Sequence, residues 1–420
     1  MKAKNWDWQI GTRVLADLAK VRSSYARVDE LDVSPDGELI AAPVKLEEGS
    51  FTACINEERW PDSYEICWFV RFTPAGKLIA LVRIDDEWTV AVDGVPWEER
   101  FEYVWNPRFS ADGSSVAVAS KRDNLYGITI NGKPWGTTFQ GMRDFCISPD
   151  GTRSAATVQV APLAEADVPA FFAGVWSVAV DGKAWNNRFV NAWNPVFSSD
   201  GQKVAVEIRT DICDYAIAVD GDPWPSRYGG VWAPICHPVD GGVIAPARLD
   251  GAWVLMKDGN QMWDGRYNQL WLQQCSRDGK RVAAVVSPVF GKWTVAVDDV
   301  PWRRVFGDMV QQPVFSPDGK HVAAVVKENN RWTIALDGEP VAADFDMIWD
   351  PVFSPCGSHV VARAERGGKY LVLYDGRTGR TAYDRLWEPV FSSDGRQVML
   401  RYVRDDKYCR QVVSLNDLLK

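Results

Sequence analysis

The stretch QQPVFSPDGKHVAAVVKENNRWTIALDGEPVAADF, residues 311–345, reads as four short β-strands. The SPDG turn at 316–319 separates a brief apolar run from residues 321–326, whose β-branched side chains suit a strand buried on both faces. Residues 332–336 form the third strand, which stops at the Asp-Gly pair 337–338, a strong hairpin signal. The segment after this pair is the fourth and least regular strand.

The turn motif recurs along the whole chain. Ten copies lie at 34–37, 73–76, 110–113, 148–151, 198–201, 237–241, 276–279, 316–319, 354–357 and 392–395. Their spacing is 37 to 40 residues, except for one gap of 50 between the fourth and fifth copies. Such self-similarity indicates a repeat architecture.

Aromatic residues repeat in step with the turns, in three sets. One opens the third strand of every copy: Phe51, Trp88, Tyr126, Trp176, Tyr215, Trp253, Trp293, Trp332, Tyr370 and Tyr408. A second lies five residues before the turn in most copies: Trp68, Trp105, Trp193, Trp232, Trp271, Trp349 and Trp387. A third follows the hairpin pair: Trp60, Trp97, Trp135, Trp185, Trp224, Trp263 and Trp302. Packing between neighbouring units explains such recurrence better than sugar stacking, quinone binding or electron hopping.

Four strands per unit of about 40 residues are typical of a β-propeller blade. The last unit stops after its third strand, and residues 21–29 carry Tyr25 at the position that Phe345 holds in the quoted unit. An N-terminal strand is therefore expected to complete the last blade and to remove exposed sheet edges. The prediction is an all-β propeller of about ten four-stranded blades in one ring, with two smaller rings as the alternative.

The domain organisation follows from these repeats. Residues 1–20 are an N-terminal extension, and residues 21–420 are the propeller. The long gap falls inside one unit, between its second and third strands, and marks an insertion at 160–174.

The repeated unit resembles the WD-repeat-like propellers of bacteria, including TolB-type repeats with SPDG turns, over nearly the whole chain. That resemblance implies the fold and little about function. The tryptophan-rich repeats PVFSPDG and WTVAVDG are similar, more narrowly, to the tryptophan-rich cytoplasmic subunits of the transmembrane (Tmc) redox complexes of sulfate-reducing bacteria. This second resemblance implies a cofactor-free subunit docked on the cytoplasmic face of a membrane-bound electron-transfer complex.

The composition of the chain limits which classes of partner it can bind. A net charge of −9 argues against DNA or RNA as the main partner, because no basic excess exists to displace phosphate counterions. The N-terminal residues MKAKNWDWQIGTRV lack the apolar core of a signal peptide, and no run of about 18 apolar residues occurs. The expectation is a cytoplasmic protein that is peripheral at the inner membrane and touches it only through other protein subunits.

The residues that carry most cofactor chemistry are scattered. Eight cysteines show no CxxC and no short ligand spacing, which favours reduced thiols used as small apolar side chains. The histidines His321 and His359 share one repeat position, and His237 replaces a turn serine. We therefore expect no metal site and no bound cofactor.

No catalytic site is visible in the sequence. No GxSxG elbow or accompanying α/β domain exists for a serine hydrolase. The carboxylate pairs Asp85-Asp86 and Asp405-Asp406 fall in predicted hairpin tips, where they would be solvated. A quinoprotein dehydrogenase would resemble secreted enzymes with adjacent cysteines, which this chain lacks. The expectation is a protein that is not an enzyme.

Two features break the repeat and are candidate partner-binding sites. The insertion VAPLAEADVPAFFAG is apolar for a hairpin tip and carries Leu163, Val168, Phe171 and Phe172. It either folds over its own blade or serves as a docking arm, since exposed apolar clusters mark interfaces.

The second feature is the N-terminal extension. Trp6 and Trp8 precede a segment in which Val14, Leu15 and Leu18 could line one helical face. This segment either caps the propeller or binds a partner. The function predicted from all these features is a non-catalytic scaffold or assembly subunit of an electron-transfer complex. The alternative is a propeller module that binds a small ligand of the carbohydrate type.

Overall fold

The computed structural model describes residues 6–165, 167–341 and 344–420. Contacts group the chain into two compact units: Met1–Asp123, Thr129–Pro134 and Phe345–Lys420 form the first, and Asn124–Ile128 and Trp135–Asp344 form the second. Nearly all regular structure is β-strand, in ten antiparallel sheets that follow one another along the chain. The fold is an all-β, ten-bladed β-propeller, and the predicted fold class is confirmed.

Blades 1 to 5 follow one another in chain order, and each runs from its first to its fourth strand. Blade 1 holds Arg27–Val28 with Asp32–Val33, then Ile40–Lys45, Phe51–Ile55 and Glu58–Arg59; blade 2 holds Ile66–Phe72, Leu78–Ile84, Glu87–Val92 and Val95–Pro96; blade 3 holds Tyr103–Phe109, Val116–Arg122, Leu125–Ile130 and Lys133–Pro134; blade 4 holds Met142–Ile147, Ser154–Gln159, Trp176–Val180 and Lys183–Ala184; blade 5 holds Asn191–Phe197, Val204–Arg209, Tyr215–Val219 and Asp222–Pro223.

Blades 6 to 10 repeat the pattern. Blade 6 holds Ile235–Cys236, Val243–Leu249, Ala252–Lys257 and Asn260–Gln261; blade 7 holds Gln269–Cys275, Val282–Val289, Lys292–Val297 and Val300–Pro301; blade 8 holds Met309–Val310 with Val314–Phe315, then Val322–Glu328, Arg331–Leu336 and Glu339–Pro340; blade 9 holds Met347–Ile348 with Val352–Phe353, then Val360–Arg366, Lys369–Tyr374 and Arg377–Thr378; blade 10 holds Arg385–Leu386 with Val390–Phe391, then Gln397–Arg404, Lys407–Ser414 and Gly11–Asp17. Two helices, Leu18–Ser24 and Val168–Ala173, interrupt the series.

Two carboxylates fix the start of the second strand in blades 4 to 8, as the quoted unit of blade 8 shows. The hydroxyl of Ser316 donates to Asp318 Oδ1 over 2.6 Å and accepts from the amide of His321 over 2.9 Å. Asp337, at the end of the third strand, accepts the amide of Val322 over 2.9 Å. The turn motif and the hairpin motif therefore meet at one strand end, and each satisfies backbone donors that would otherwise be unpaired.

The tryptophans that follow the hairpin pair pack between blades, as predicted. Gly338 has φ +93°, and a Cβ atom built on it would lie 3.0 Å from Trp302 Cγ of the preceding blade. The same approach joins Trp60 to Gly94, Trp97 to Gly132, Trp135 to Gly182, Trp185 to Gly221 and Trp224 to Gly259. The face of the indole ring thus packs directly on the hairpin backbone. Glycine permits this close approach because it has no Cβ atom.

Four of the tryptophans that precede the turn lie on the third-strand aromatic of their own blade: Trp68, Trp232, Trp271 and Trp349. Trp68 lies on Trp88 of the third strand, with ring centroids 5.0 Å apart, and it also meets Tyr103 of blade 3 edge on. Their packing is therefore both within a blade and between blades. Several of these rings keep an open face, since Trp68 is 41% exposed and Trp232 is 43% exposed.

An N-terminal strand completes the last blade, but it is not the predicted segment. Gly11–Asp17 pairs antiparallel with Lys407–Ser414, with Val14 opposite Cys409. Residues 21–29 instead contain the end of the helix Leu18–Ser24 and a short strand of blade 1. The predicted helical face of Val14, Leu15 and Leu18 is wrong, because the open edge of the last blade offers backbone partners that outweigh local helix preference.

Candidate functional site

The insertion 160–174 leaves blade 4 between its second and third strands. The last paired residues of that hairpin are Gln159 and Trp176, and the amide of Val160 still donates to the carbonyl of Val175 over 2.8 Å. The ladder therefore stays closed beneath the insertion, and the segment above it is an addition to an otherwise regular blade.

The insertion ends in a short helix, Val168–Ala173. Asp167 caps it by accepting the amide of Ala170 over 3.0 Å, and Gly174 ends it with φ +85°. No residue of this helix is buried. A helix of one and a half turns has little stability of its own, so its caps and its covalent ends hold it.

Of the four predicted insertion residues, the structure leaves three exposed. Leu163 is 41% exposed, Val168 is 56% exposed and Phe172 is 39% exposed. Phe171 is partly buried and meets Phe172 edge to face, with ring centroids 5.4 Å apart. Position 166 lies outside the described residues. We call Leu163, Val168, Phe171 and Phe172 the insertion cluster.

Trp6 and Trp8 belong to the first compact unit, and the insertion cluster belongs to the second. Both are partly buried. The indole nitrogen of Trp8 is buried and has no hydrogen-bond partner among the described residues. Between them, the carbonyl of Asp7 accepts a hydrogen bond from the guanidinium of Arg410. The extension is thus attached to blade 10, within its own unit.

A cavity that the sequence did not reveal lies in the second unit. Its volume is about 570 Å³, and the first strands of blades 5 to 8 supply most of its wall. Trp232, Trp271 and Leu272 give it an apolar surface, and Gln274 and Gln312 add amide groups. This volume and this mixture of many apolar and few polar groups are usual for a small-molecule site.

Each of the two cavity tryptophans, Trp232 and Trp271, packs on a second tryptophan of its own blade. Trp232 stacks on Trp253, with centroids 5.3 Å apart and planes 13° apart. Trp271 lies on Trp293, with centroids 4.7 Å apart. Each ring has one face covered by its own blade, so the other can meet a ligand without losing rotamer freedom.

β-bulges in the first strands shape the cavity. Asn194 and Leu272 follow the recurring tryptophan position of blades 5 and 7, and they have φ +50° and +53°. The register shifts at both places, between Trp193 and Val196 and between Trp271 and Gln274. A bulge adds a residue without a ladder partner and re-aims its side chain, which explains why these positions line the cavity.

Glu207 is the one acidic residue among the described residues of the cavity wall. It is only 7% exposed, and its Oε1 accepts a hydrogen bond from Asn194 Nδ2 over 2.6 Å. Burial, helped by the charge of Asp144, raises the pKa of Glu207 to about 7. Among the described residues no cation pairs with this carboxylate.

A signal for this residue does exist in the sequence. The fourth residue of the second strand is apolar in most other blades, as Leu81, Ala119, Val285 and Val325 show, but it is Thr157 in blade 4 and Arg363 in blade 9. Blade 5 has Glu207 there, which breaks the apolar pattern of a strand buried on both faces. The departures weighed in the sequence were those in the turns, so this one was missed.

The carboxylate pairs and the histidines were the residues considered in the sequence as possible catalytic or metal-binding groups. Asp85-Asp86 and Asp405-Asp406 are hairpin tips, as predicted, with φ between 50° and 65°. His321 Nδ1 lies 2.6 Å from Asp337 Oδ2. At the equivalent position of blade 7, Arg281 pairs with Asp298 in the same way. In the part of the chain that the structure describes, no group of three or more metal-binding side chains occurs.

Comparisons with known proteins add no family. No family model matches the chain, and no curated protein does. A solved eukaryotic initiation factor matches 79% of this chain and 90% of its own, at 14% identity and a TM-score of 0.46. The Dos1 propeller matches 96% of this chain and 94% of its own, at 10% identity and a TM-score of 0.34. Neither supports the narrower resemblance to Tmc subunits.

Within the described ranges no helix has the length and apolar character needed to cross a bilayer.

Proposed function

We propose that this propeller is a non-catalytic assembly subunit that docks on another protein subunit through the insertion cluster. The observation that carries this proposal is the helix Val168–Ala173, in which no residue is buried although the segment is strongly apolar. A loop folded over its own blade would bury these side chains. An apolar group held away from the core on a closed hairpin instead suits a partner surface.

The partner class follows from the resemblance in the repeats. A tryptophan-rich propeller of this kind fits the cytoplasmic side of a membrane-bound electron-transfer complex, where it would contact cytochrome or iron–sulfur subunits. The net charge of −9 gives the chain no attraction of its own for anionic lipid, so the membrane would be reached through the partner. In this role the propeller itself carries no electrons.

The test is to replace residues 161–173 by a short glycine-containing turn. The hairpin is already closed by the bond between Val160 and Val175, and loop length costs only about 0.6 kcal/mol per doubling. We expect the melting temperature to be unchanged and co-purification of redox subunits from the native host to be lost. The captured subunits are identified by mass spectrometry against a host strain that lacks the protein.

Point variants sharpen this test. Val168→Ser with Phe172→Ser should weaken capture, because a few apolar anchors hold most interface energy. The matched control is Phe290→Ser, at the tip of the corresponding hairpin of blade 7, where the side chain is 89% exposed. A lower melting temperature in the deletion, or capture that survives it, would contradict the proposal. Trp6 and Trp8 would then be the next candidates.

A ligand-binding module is the second candidate function, and the cavity of blades 5 to 8 favours it. Its two backed tryptophans offer open ring faces, as carbohydrate sites do. A calorimetric titration with mono- and disaccharides tests that function, with Trp232→Ala as the variant that should lose binding.

A further inference from the structure

The cavity of blades 5 to 8 combines a single buried carboxylate with aromatic walls. Glu207 is 7% exposed, and one of its oxygens is held by Asn194. Trp232 and Trp271 form the wall, and each is backed by an aromatic ring of its own blade. From this geometry we propose that the cavity is a binding site for a small primary amine with an apolar body, held by an ammonium–carboxylate pair at Glu207.

The charge balance of the cavity points to a cation. No described residue forms an ion pair with Glu207, and Asp144 adds a second negative charge nearby. The other polar side chains of the wall are uncharged amides, those of Asn194, Gln273, Gln274 and Gln312. A buried carboxylate without a counter-charge is costly, so a ligand that brings a positive charge gains more here than at an exposed site.

The aromatic walls favour the same ligand. An ammonium group is attracted to the face of an indole ring, most strongly where water is excluded. Trp232 and Trp271 are positioned in advance by stacking, so binding does not have to immobilise them. Leu272 and Ile235 complete an apolar surface for the body of the ligand.

The first strands hold this arrangement together. The side chain of Gln273 is 2% exposed and donates from Nε2 to the carbonyl of Ala233 over 2.7 Å. This bond joins blades 6 and 7 through residues that lie close to the two tryptophans along the chain. The cavity is therefore built on strands of the scaffold and does not depend on the insertion.

Binding should depend on pH in a stated direction. The carboxylate of Glu207 must be ionised to pair with the amine, and burial next to Asp144 holds its pKa at about 7. An ammonium ligand then binds about tenfold more tightly at pH 8 than at pH 6, because only about one molecule in ten has Glu207 ionised at pH 6. Glu207 is the charged residue among the described residues that line this cavity, and Asp144 is the charge that acts on its pKa.

The experiment is calorimetric titration of the full chain with phenethylamine at pH 8 and pH 6. The uncharged 2-phenylethanol and the disaccharide cellobiose are titrated in parallel. We expect phenethylamine to bind at least tenfold more tightly than 2-phenylethanol at pH 8, and more tightly than cellobiose. Glu207→Gln should remove this preference and the pH dependence together. Trp232→Ala should weaken binding several-fold and leave the pH dependence in place.

Matched variants control for folding. Glu328→Gln removes a partly exposed carboxylate of blade 8 that pairs with Arg304. Trp68→Ala removes a tryptophan at the same repeat position in blade 2. Both variants should bind phenethylamine as the parent does. Deletion of residues 161–173 should also leave amine binding intact. This result distinguishes the amine site from the proposed docking of a partner on the insertion cluster. Equal affinity for amine and alcohol, binding of cellobiose in place of the amine, or no binding of the amine at concentrations up to about 10 mM would each overturn it.

Discussion

The hydroxyl of Tyr408, in the third strand of blade 10, donates a hydrogen bond of 2.8 Å to the carbonyl oxygen of Gly37 in the first turn of the chain. Two arginines of blade 10 reach the same turn: Arg410 Nε donates to the carbonyl of Asp36 over 2.8 Å, and Arg401 Nη1 donates to that of Ser34 over 3.1 Å. The last blade and the first turn are therefore joined by buried polar bonds as well as by packing.

Loss of the Tyr408 hydroxyl should destabilise the protein. Tyr408 is fully buried, so Tyr408→Phe leaves the carbonyl of Gly37 without its donor, at a cost of about 1–3 kcal/mol. We expect a lower urea midpoint. Tyr103→Phe is the control, because Tyr103 is 38% exposed and its variant should unfold like the parent. Equal midpoints for both variants would show that the bond contributes nothing.

Removal of residues 1–17 should be more severe than any single substitution. It deletes the strand Gly11–Asp17 and exposes the edge of Lys407–Ser414, which can then pair with other molecules. We expect aggregation and a markedly lower melting temperature, measured by light scattering and calorimetry. A truncated chain that stays monomeric and melts like the parent would contradict the role of this strand.

The hairpin glycines should differ in their tolerance of alanine. Gly338→Ala meets two penalties, a positive φ and a Cβ 3.0 Å from Trp302, so we expect a loss of about 2–4 kcal/mol. Gly291→Ala meets only the first, because nothing lies within 4 Å of its Cβ, and should cost about 1 kcal/mol. Urea unfolding of both variants measures the difference. Equal losses would mean that the contact with Trp302 is not tight.

Replacement of Glu207 should change stability in a pH-dependent way. The folded protein keeps the Glu207 proton up to a pKa of about 7, whereas an unfolded chain releases it near 4.5. Folding therefore binds a proton between these values, and stability falls as pH rises from about 4.5 to about 7.

Glu207→Gln removes this loss and keeps an acceptor for Asn194. We expect it to stabilise the protein by an amount on the order of 3 kcal/mol at pH 8 and by little at pH 4.5. Urea midpoints of variant and parent are compared at each pH, and Glu328→Gln serves as the exposed control. A variant that is no more stable than the parent at pH 8 would show that Glu207 is not desolvated.

The repeated blade could be predicted from the sequence because its turn and hairpin motifs act on backbone groups that are close to them along the chain. The turn at 316–319 and the pair at 337–338 act on backbone groups nearby along the chain, so their spacing predicted the repeated strands of the ten blades, apart from the N-terminal strand of blade 10. The third-strand aromatics, the hairpin tips and the place of the insertion were predicted for the same reason. Each follows from residues that are neighbours along the chain.

What the tertiary structure decided depends on residues far apart in sequence. The strand that completes blade 10 is Gly11–Asp17 because the open edge of Lys407–Ser414 lies beside it, and local sequence preference favoured a helix there. The exposure of the insertion cluster could not be read from its composition, which suits a packed loop equally well. The cavity needed four blades to bring Glu207, Trp232 and Trp271 to one place, and burial by those blades is what shifts the carboxyl's pKa. The sequence by itself therefore determined the blades, through backbone chemistry within each repeat. Only the packing of one blade on the next decided which side chains meet.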